Sequence, residues 1–182
     1  DYTLQSDTLQ YNSKNKIIYF RDLTTVTDKD GGVAIYKNGF YNTNQQYSAL
    51  TEGQIETPEY KIKGNEYDID DARKIYRAKG SVVMTSKAEN MLIFGDHSFY
   101  DKKSGISKVY GNSYVAQIGD DLDTLFISAD TLVSIENKDP KKKRLLAYNH
   151  VKIYKTDLQG VADSLVYAAA DSTIHFFTNP VL

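Results

Sequence analysis

A six-residue signature recurs along this chain about every thirty residues, and it restricts the possible folds more than any other feature. It reads apolar, two variable residues, Asp or Asn, one variable residue, then a large apolar residue. Clear copies are Leu4-Gln5-Ser6-Asp7-Thr8-Leu9, Ile35-Tyr36-Lys37-Asn38-Gly39-Phe40, Ile62-Lys63-Gly64-Asn65-Glu66-Tyr67 and Ile127-Ser128-Ala129-Asp130-Thr131-Leu132. Gly160-Val161-Ala162-Asp163-Ser164-Leu165 lacks only the leading apolar residue. A further copy, from Ile93 through Asp96 to Phe99, carries a one-residue slip that reads as a bulge. The acidic or amide positions 7, 38, 65, 96, 130 and 163 are separated by 31, 27, 31, 34 and 33 residues. The chain is thus expected to contain about six degenerate repeats.

Each copy is followed by a second strand-like segment, such as Ile17-Ile18-Tyr19-Phe20, Ile75-Tyr76-Arg77 and Leu145-Leu146-Ala147-Tyr148. Polar stretches such as Asn12 to Lys16, Asp101 to Gly105 and Asn137 to Arg144 have the composition of hairpin loops. Lys79-Gly80, Gly111-Asn112 and Tyr148-Asn149 read as turns leading to third segments, Ser81–Thr85, Ser113–Gln117 and Val151–Tyr154. Within segments the period is two, as in Leu125, Ile127 and Ala129 on one face. Asp70-Asp71-Ala72-Arg73-Lys74 is the best helical candidate, but it is too short and sits where other units have a loop. The reading is an all-β, repeat-built antiparallel sheet forming one domain over residues 1–182. Stacked small polar residues tolerate kinks at one height on every rung, which would fold such a sheet. An ordinary sandwich of unrelated strands is the competing architecture.

Composition removes several function classes. A net charge of -2 gives no nucleic-acid footprint. With no Cys there is neither a disulfide framework nor a thiolate metal site, and the compartment stays open. Fifteen Tyr and seven Phe against no Trp suit half-buried strands. No apolar run approaches the roughly 20 residues of a membrane-spanning helix. The chain begins at Asp1 without a targeting segment and ends within a strand-like pattern, so it is read as a trimmed piece of a longer protein.

The chemistry-bearing residues form no motif. His97, His150 and His175 have no partner at metal-ligand spacing. No Gly-x-Ser-x-Gly elbow occurs, and Asp30-Gly31-Gly32 is a turn rather than a phosphate loop. Gly119-Asp120-Asp121-Leu122-Asp123 lacks the frame of a calcium loop and reads as a solvated hairpin tip. The basic run Asp139 to Arg144 reads as a solvated loop. The expectation is a non-enzyme with no catalytic residue, metal or cofactor; a carboxylate pair in a β-solenoid glycosidase is the remote alternative.

The last third carries a resemblance. Asp123 to Leu132, Asn149 to Tyr167 and Asp171 to Leu182 resemble the Bacteroidetes-type OstA-like family, itself similar to LptA and to the N-terminal domain of LptD. The resemblance implies a folded half-pipe, a β-jellyroll or β-taco, in the periplasm and associated with the outer membrane. It implies an apolar groove for lipopolysaccharide acyl chains, and open ends that add strands from Lpt-type neighbours or copies. Groove candidates form two ladders: Leu4, Ile35, Ile62, Ile93 and Ile127, then Leu9, Phe40, Tyr67, Phe99, Leu132 and Leu165. At least one is expected to face the interior; the alternative is that both are simply core. A self-assembling envelope scaffold without lipid cargo is the other functional reading.

Overall fold

Period-two patterning rich in Tyr, Ile, Val and Thr leaves no stretch that prefers a helix. The computed structural model describes residues 2–28, 32–57, 60–87, 90–119, 123–137, 139–168, 170 and 173–182. It is one antiparallel sheet of fourteen strands. These are β1 Tyr2–Ser6, β2 Leu9–Asn12, β3 Ile17–Phe20, β4 Thr24–Asp28, β5 Val33–Asn42, β6 Tyr47–Glu56, β7 Tyr60–Asp70, β8 Ile75–Ser86, β9 Met91–Asp101, β10 Ile106–Ile118, β11 Thr124–Ile135, β12 Arg144–Lys155, β13 Leu158–Ala168 and β14 Thr173–Phe177. From β5 onward each strand pairs with the next in sequence. At the other end, β3 and β4 both pair with β5, β1 pairs with β4, and β2 with β3. Two short strands there take the place of one long one.

One row of hairpins is built alike. Oδ1 of Asn12, Asn42, Asp70 and Asp101 accepts backbone N–H groups two or three residues on. This is the Asx turn these residue types favour. Four residues after each comes a left-handed residue: Lys16, Gln46, Lys74 and Gly105. Their carbonyls accept the N–H of Thr43, Asp71, Lys102 and Glu136 in the next turn at 2.8–3.0 Å, so the turns are tied into a row. The segment Asp70 to Lys74 is therefore a turn, as its length suggested.

The dipeptides expected to separate second from third segments do not reverse the chain. Ser81–Thr85, Ser113–Gln117 and Val151–Tyr154 continue the same strands, β8, β10 and β12. The residues between them are consecutive left-handed pairs: Gly80–Ser81, Gly111–Asn112 and Asn149–His150. Each pair adds one residue relative to both neighbouring strands, a bulge at Lys79/Val82, Tyr110/Ser113 and Tyr148/Val151. Thr178–Asn179 repeats the pair after β14. The kinks stand at one height, as expected, but on the even strands rather than at the signature residues.

The signature side chains instead face the kinks. Asn112 Nδ2 donates to Asp96 Oδ2 at 2.8 Å, and His150 Nδ1 lies 2.8 Å from Asp130 Oδ2. A Cβ on Gly80 would collide with the Asn65 amide, and one on Gly111 with the Asp96 carboxylate. The extra residue near Asp96 lies on β8 and β10, so β9 carries no slip.

The sheet folds along this line of kinks, and its halves enclose one core. The first half holds Met84, Ile93, Val115, Ile127 and Ile153; the second holds Tyr67, Ala78, Val109, Leu132 and Leu165. We call these halves wall A and wall B. The Tyr67 hydroxyl on wall B donates to the Gly53 carbonyl on wall A at 2.6 Å. Gly53 permits the approach, since a Cβ there would overlap Tyr36 and the Ile35 carbonyl.

Candidate functional site

Directly paired residues on neighbouring antiparallel strands point to the same face, so the register defines the interior row by row. The main row of wall A is Leu4, Val26, Ala34, Ile55, Ile62, Met84, Ile93, Val115, Ile127, Ile153 and Gly160. No member carries a polar side chain. On wall B the row next to the fold includes Leu50, Tyr67, Ala78, Ser98, Val109, Leu132, Ala147 and Leu165. The next row of wall B, nearer the mouth, differs chemically: Tyr41, Ser48, Tyr76, Tyr100, Ser107, Ser134 and Tyr167 alternate there with Ile69, Leu145 and Ile174.

The interior is filled unevenly. Toward β4 it is occupied by Phe20, Tyr36, Leu50 and Tyr67, with the Tyr36 and Tyr67 rings edge-on at 5.9 Å. Burial pushes the Tyr67 phenol up to about 12, a nearby Gly64 amide opposing it. Tyr76 is raised as well, by burial and then by the Asp71 carboxylate, whose Oδ1 accepts its hydroxyl at 3.2 Å. Between β7 and β12 the walls leave a narrow cleft of about 20 Å³, room for about one water molecule. Met84 and Ile93 line it from wall A, and Val109, Leu132 and Leu145 from wall B. Tyr60, Ser107 and Ser134 complete the lining.

Seven of the eleven groove candidates meet in this interior. Leu4 and Ile62 pack against the core, while Tyr67, Ile93, Ile127, Leu132 and Leu165 are buried within it, Leu165 at 0% exposure. Both ladders therefore contribute, one to each wall. Four candidates lie elsewhere. Leu9, on the terminal strand β2, is 42% exposed. Ile35 pairs with Gln54 on the outer face, and Phe40 sits outside with its ring 6.1 Å from Tyr47. Phe99 lies on the outer face beneath the Arg77 guanidinium, 5.6 Å from its ring centre.

Leu9 keeps register with the buried Phe20 and is exposed because β2 pairs on one side only among the described residues, while two phase errors explain the other three placements. On β5 the inward residues are Ala34, Tyr36 and Gly39, so the signature read at Ile35 and Phe40 is one residue out of register. On β9 the residue five after Ile93 is Ser98, paired with the buried Ala78 and Val109. Sequence reasoning also missed Met84, Val115 and Ile153, because it placed the signature on the odd strands only. Period-two alternation in Val151-Lys152-Ile153 was the available signal, whereas Val82-Val83-Met84 is apolar throughout and gives no phase.

The chemical inventory is plain. Among the described residues no group of three or more His, Cys, Asp or Glu side chains is placed to hold a metal ion. The carboxylate run at 119–123 lies mostly outside the described residues, as does most of the turn at 30–32. The basic loop holds a short 3-10 turn, Pro140–Lys142, and Lys143 pairs with Glu136 at 3.0 Å.

Comparison with solved structures finds the same architecture. LptH, the LptA-homologous periplasmic component of the lipopolysaccharide transport device of Pseudomonas aeruginosa, matches 66% of this chain and 82% of its own, with a TM-score of 0.56 and 14% identity. The fold is LptA-like. No family model matches the sequence, and no curated protein does.

Proposed function

We propose that this chain is a non-enzymatic, OstA-like lipid carrier of the periplasm. It would hold the acyl chains of lipopolysaccharide between its walls and dock to Lpt-type neighbours, or to copies of itself, by strand addition. One observation carries the reading: within an LptA-like fold, the main row of wall A carries no polar side chain, and its Met84 and Ile93 face a narrow cleft bounded by Val109, Leu132 and Leu145. Each methylene moved from water to such a surface is worth about 0.8 kcal/mol, which gives acyl chains a strong reason to enter. Among the described residues the β14 edge and the β1–β2 edge pair on one side only, which is the arrangement that accepts an added strand.

The test is binding of purified lipopolysaccharide by the intact chain. Ile62→Glu places a charge on the half-buried wall A row and is expected to weaken binding at least tenfold, about 1.4 kcal/mol. Lys63→Glu, on the outer face one residue away, is expected to leave it unchanged. Absence of binding, or equal binding by both variants, would overturn the carrier reading. The closeness of the walls at Tyr36 and Tyr67 favours a second reading, an envelope scaffold without cargo. That reading expects concentration-dependent oligomers of a protein that takes up no lipid.

A further inference from the structure

An antiparallel sheet with one solvated face alternates apolar and polar residues, and strands covered on both faces read instead as unbroken apolar runs. Wall B contains both kinds of strand. On β7 and β8 its outer face carries Glu66, Asp68, Arg77 and Lys79, with Lys79 Nζ 3.8 Å from Glu66 and 3.4 Å from Asp68, as a solvated face does. On β11 to β13 the alternation is lost. Leu132-Val133, Leu145-Leu146-Ala147-Tyr148 and Leu165-Val166-Tyr167-Ala168 are apolar or aromatic at every position. Leu132, Ala147 and Leu165 fill the core, so Val133, Leu146 and Val166, which pair in a row across the three strands, face outward. These three are half-buried, whereas Tyr110, Tyr148 and Phe177, in the outer row beside them, are 42%, 42% and 49% exposed. The aliphatic row is therefore the floor of a trough. Its charge is one-sided. From β10 to β14, between the kinks and the hairpin turns, this face carries Lys108, Arg144 and His175 and no carboxylate. Lys108, in line with Val133, makes no ion pair among the described residues.

We infer that this trough on the outer face of wall B docks an amphipathic helix of a partner protein, one whose apolar stripe is edged by carboxylates. Such a helix lays a ridge of apolar side chains into the trough, adding the layer that the unbroken apolar runs call for. Its flanking carboxylates meet Lys108 and Arg144. A second copy of the same face would set like charges against each other. A bilayer surface takes up apolar side chains that protrude, and here the aliphatic ones recede below Tyr110, Tyr148 and Lys108. The inference does not depend on what the interior holds.

The experiment titrates the intact chain, by calorimetry, with two synthetic helical peptides that share one leucine stripe and carry either Glu or Lys along its flanks. The Glu peptide is expected to bind about tenfold tighter than the Lys peptide. Leu146→Glu and Lys108→Glu, made separately, are each expected to weaken the Glu peptide about tenfold. Lys152→Glu, on the exposed outer face of wall A, is expected to leave it unchanged. Lys108→Glu alters one exposed side chain, so it decides the question even where Leu146→Glu fails to fold. Equal affinity for the two peptides, binding of neither, or binding that survives Lys108→Glu would overturn the proposal. Two further outcomes would overturn it by assigning the face to another occupant. One is a two-copy complex in sedimentation that Leu146→Glu abolishes; the other is capture by phosphatidylglycerol vesicles that Leu146→Glu abolishes.

Discussion

Tyr67 stands at the fold of the sheet, its ring against Tyr36 and its hydroxyl donated across the interior to the Gly53 carbonyl. Its phenol titrates near 12, against about 10 in an unfolded chain. A raised folded-state value means that this group favours the native state fully below pH 10. The contribution then falls away as pH rises through 12, because the unfolded chain ionises first. Tyr47, held up to about 12 by its 2.6 Å hydrogen bond to Asp68, acts in the same window and sense. Stability measured by urea unfolding is therefore expected to drop between pH 10 and 12, and Tyr67→Phe is expected to drop less steeply while losing about 1 kcal/mol at pH 8. Equal slopes in the two proteins would contradict this. At this scale the sequence was legible where the signature fell in phase with the inward face, as in Ile62/Tyr67 and Ile127/Leu132, whereas Ile35/Phe40 keep the same spacing and face outward. It misled where a neighbour's bulk compensated for a small residue. Gly39 occupies an inward position because Leu50 fills the space a Cβ would need, so Phe40 next door drew the eye. Ser98 is inward between the buried Ala78 and Val109, while Phe99 is the more conspicuous apolar residue. Single-sequence patterning ranks residues by hydrophobicity, and a pair of complementary volumes across two strands is invisible to it.

At the scale of elements, the even strands carry the bend and the odd strands brace it. Gly111 has φ of 76° and is followed by Asn112 at 49°, two left-handed residues that add one position to β10. A turn and such a bulge use the same residue types, which is why Lys79-Gly80 and Gly111-Asn112 read as chain reversals in the sequence. What distinguishes them is the partner strand, since Asp96 and Asp130 lie opposite the kinks and accept their side-chain hydrogen bonds. Gly111→Val would force a β-branched residue into the left-handed region and drive its Cβ into the Asp96 carboxylate. The expected cost is about 2–3 kcal/mol. Hydrogen exchange should show the loss of protection concentrated in β9–β11. Val83→Thr, an outer-face change on β8, is expected to alter stability by less than about 0.5 kcal/mol. A Gly111→Val protein as stable as the parent would show that the bend does not depend on this residue.

At the scale of the whole sheet, the end strands pair on one side only among the described residues. Among the described residues strand β14 pairs with β13 alone, over Ser164 to Ala168, and a bridge between Val161 and Val181 continues along the other half of that strand. An exposed edge beside apolar surface associates unless it is blocked, and it carries no charged side chain between Thr173 and Phe177. At the opposite end the edge is divided between β1 and β2. The two edges differ, so joining one to the other is a heterologous contact, which propagates as a filament rather than closing as a dimer. Sedimentation is therefore expected to show mass rising continuously with concentration, without a plateau at two copies. In an antiparallel edge strand, N–H groups alternate between the neighbour and solvent. Proline at Ile174 and proline at His175, made separately, thus remove one N–H of each kind. The variant that loses the solvent-facing N–H is expected to keep its unfolding midpoint and remain monomeric, and the other to destabilise the β13–β14 pair. If both prolines leave the concentration dependence unchanged, association does not run through this edge. The kinks and the apolar interior would then have to serve a carrier that works alone.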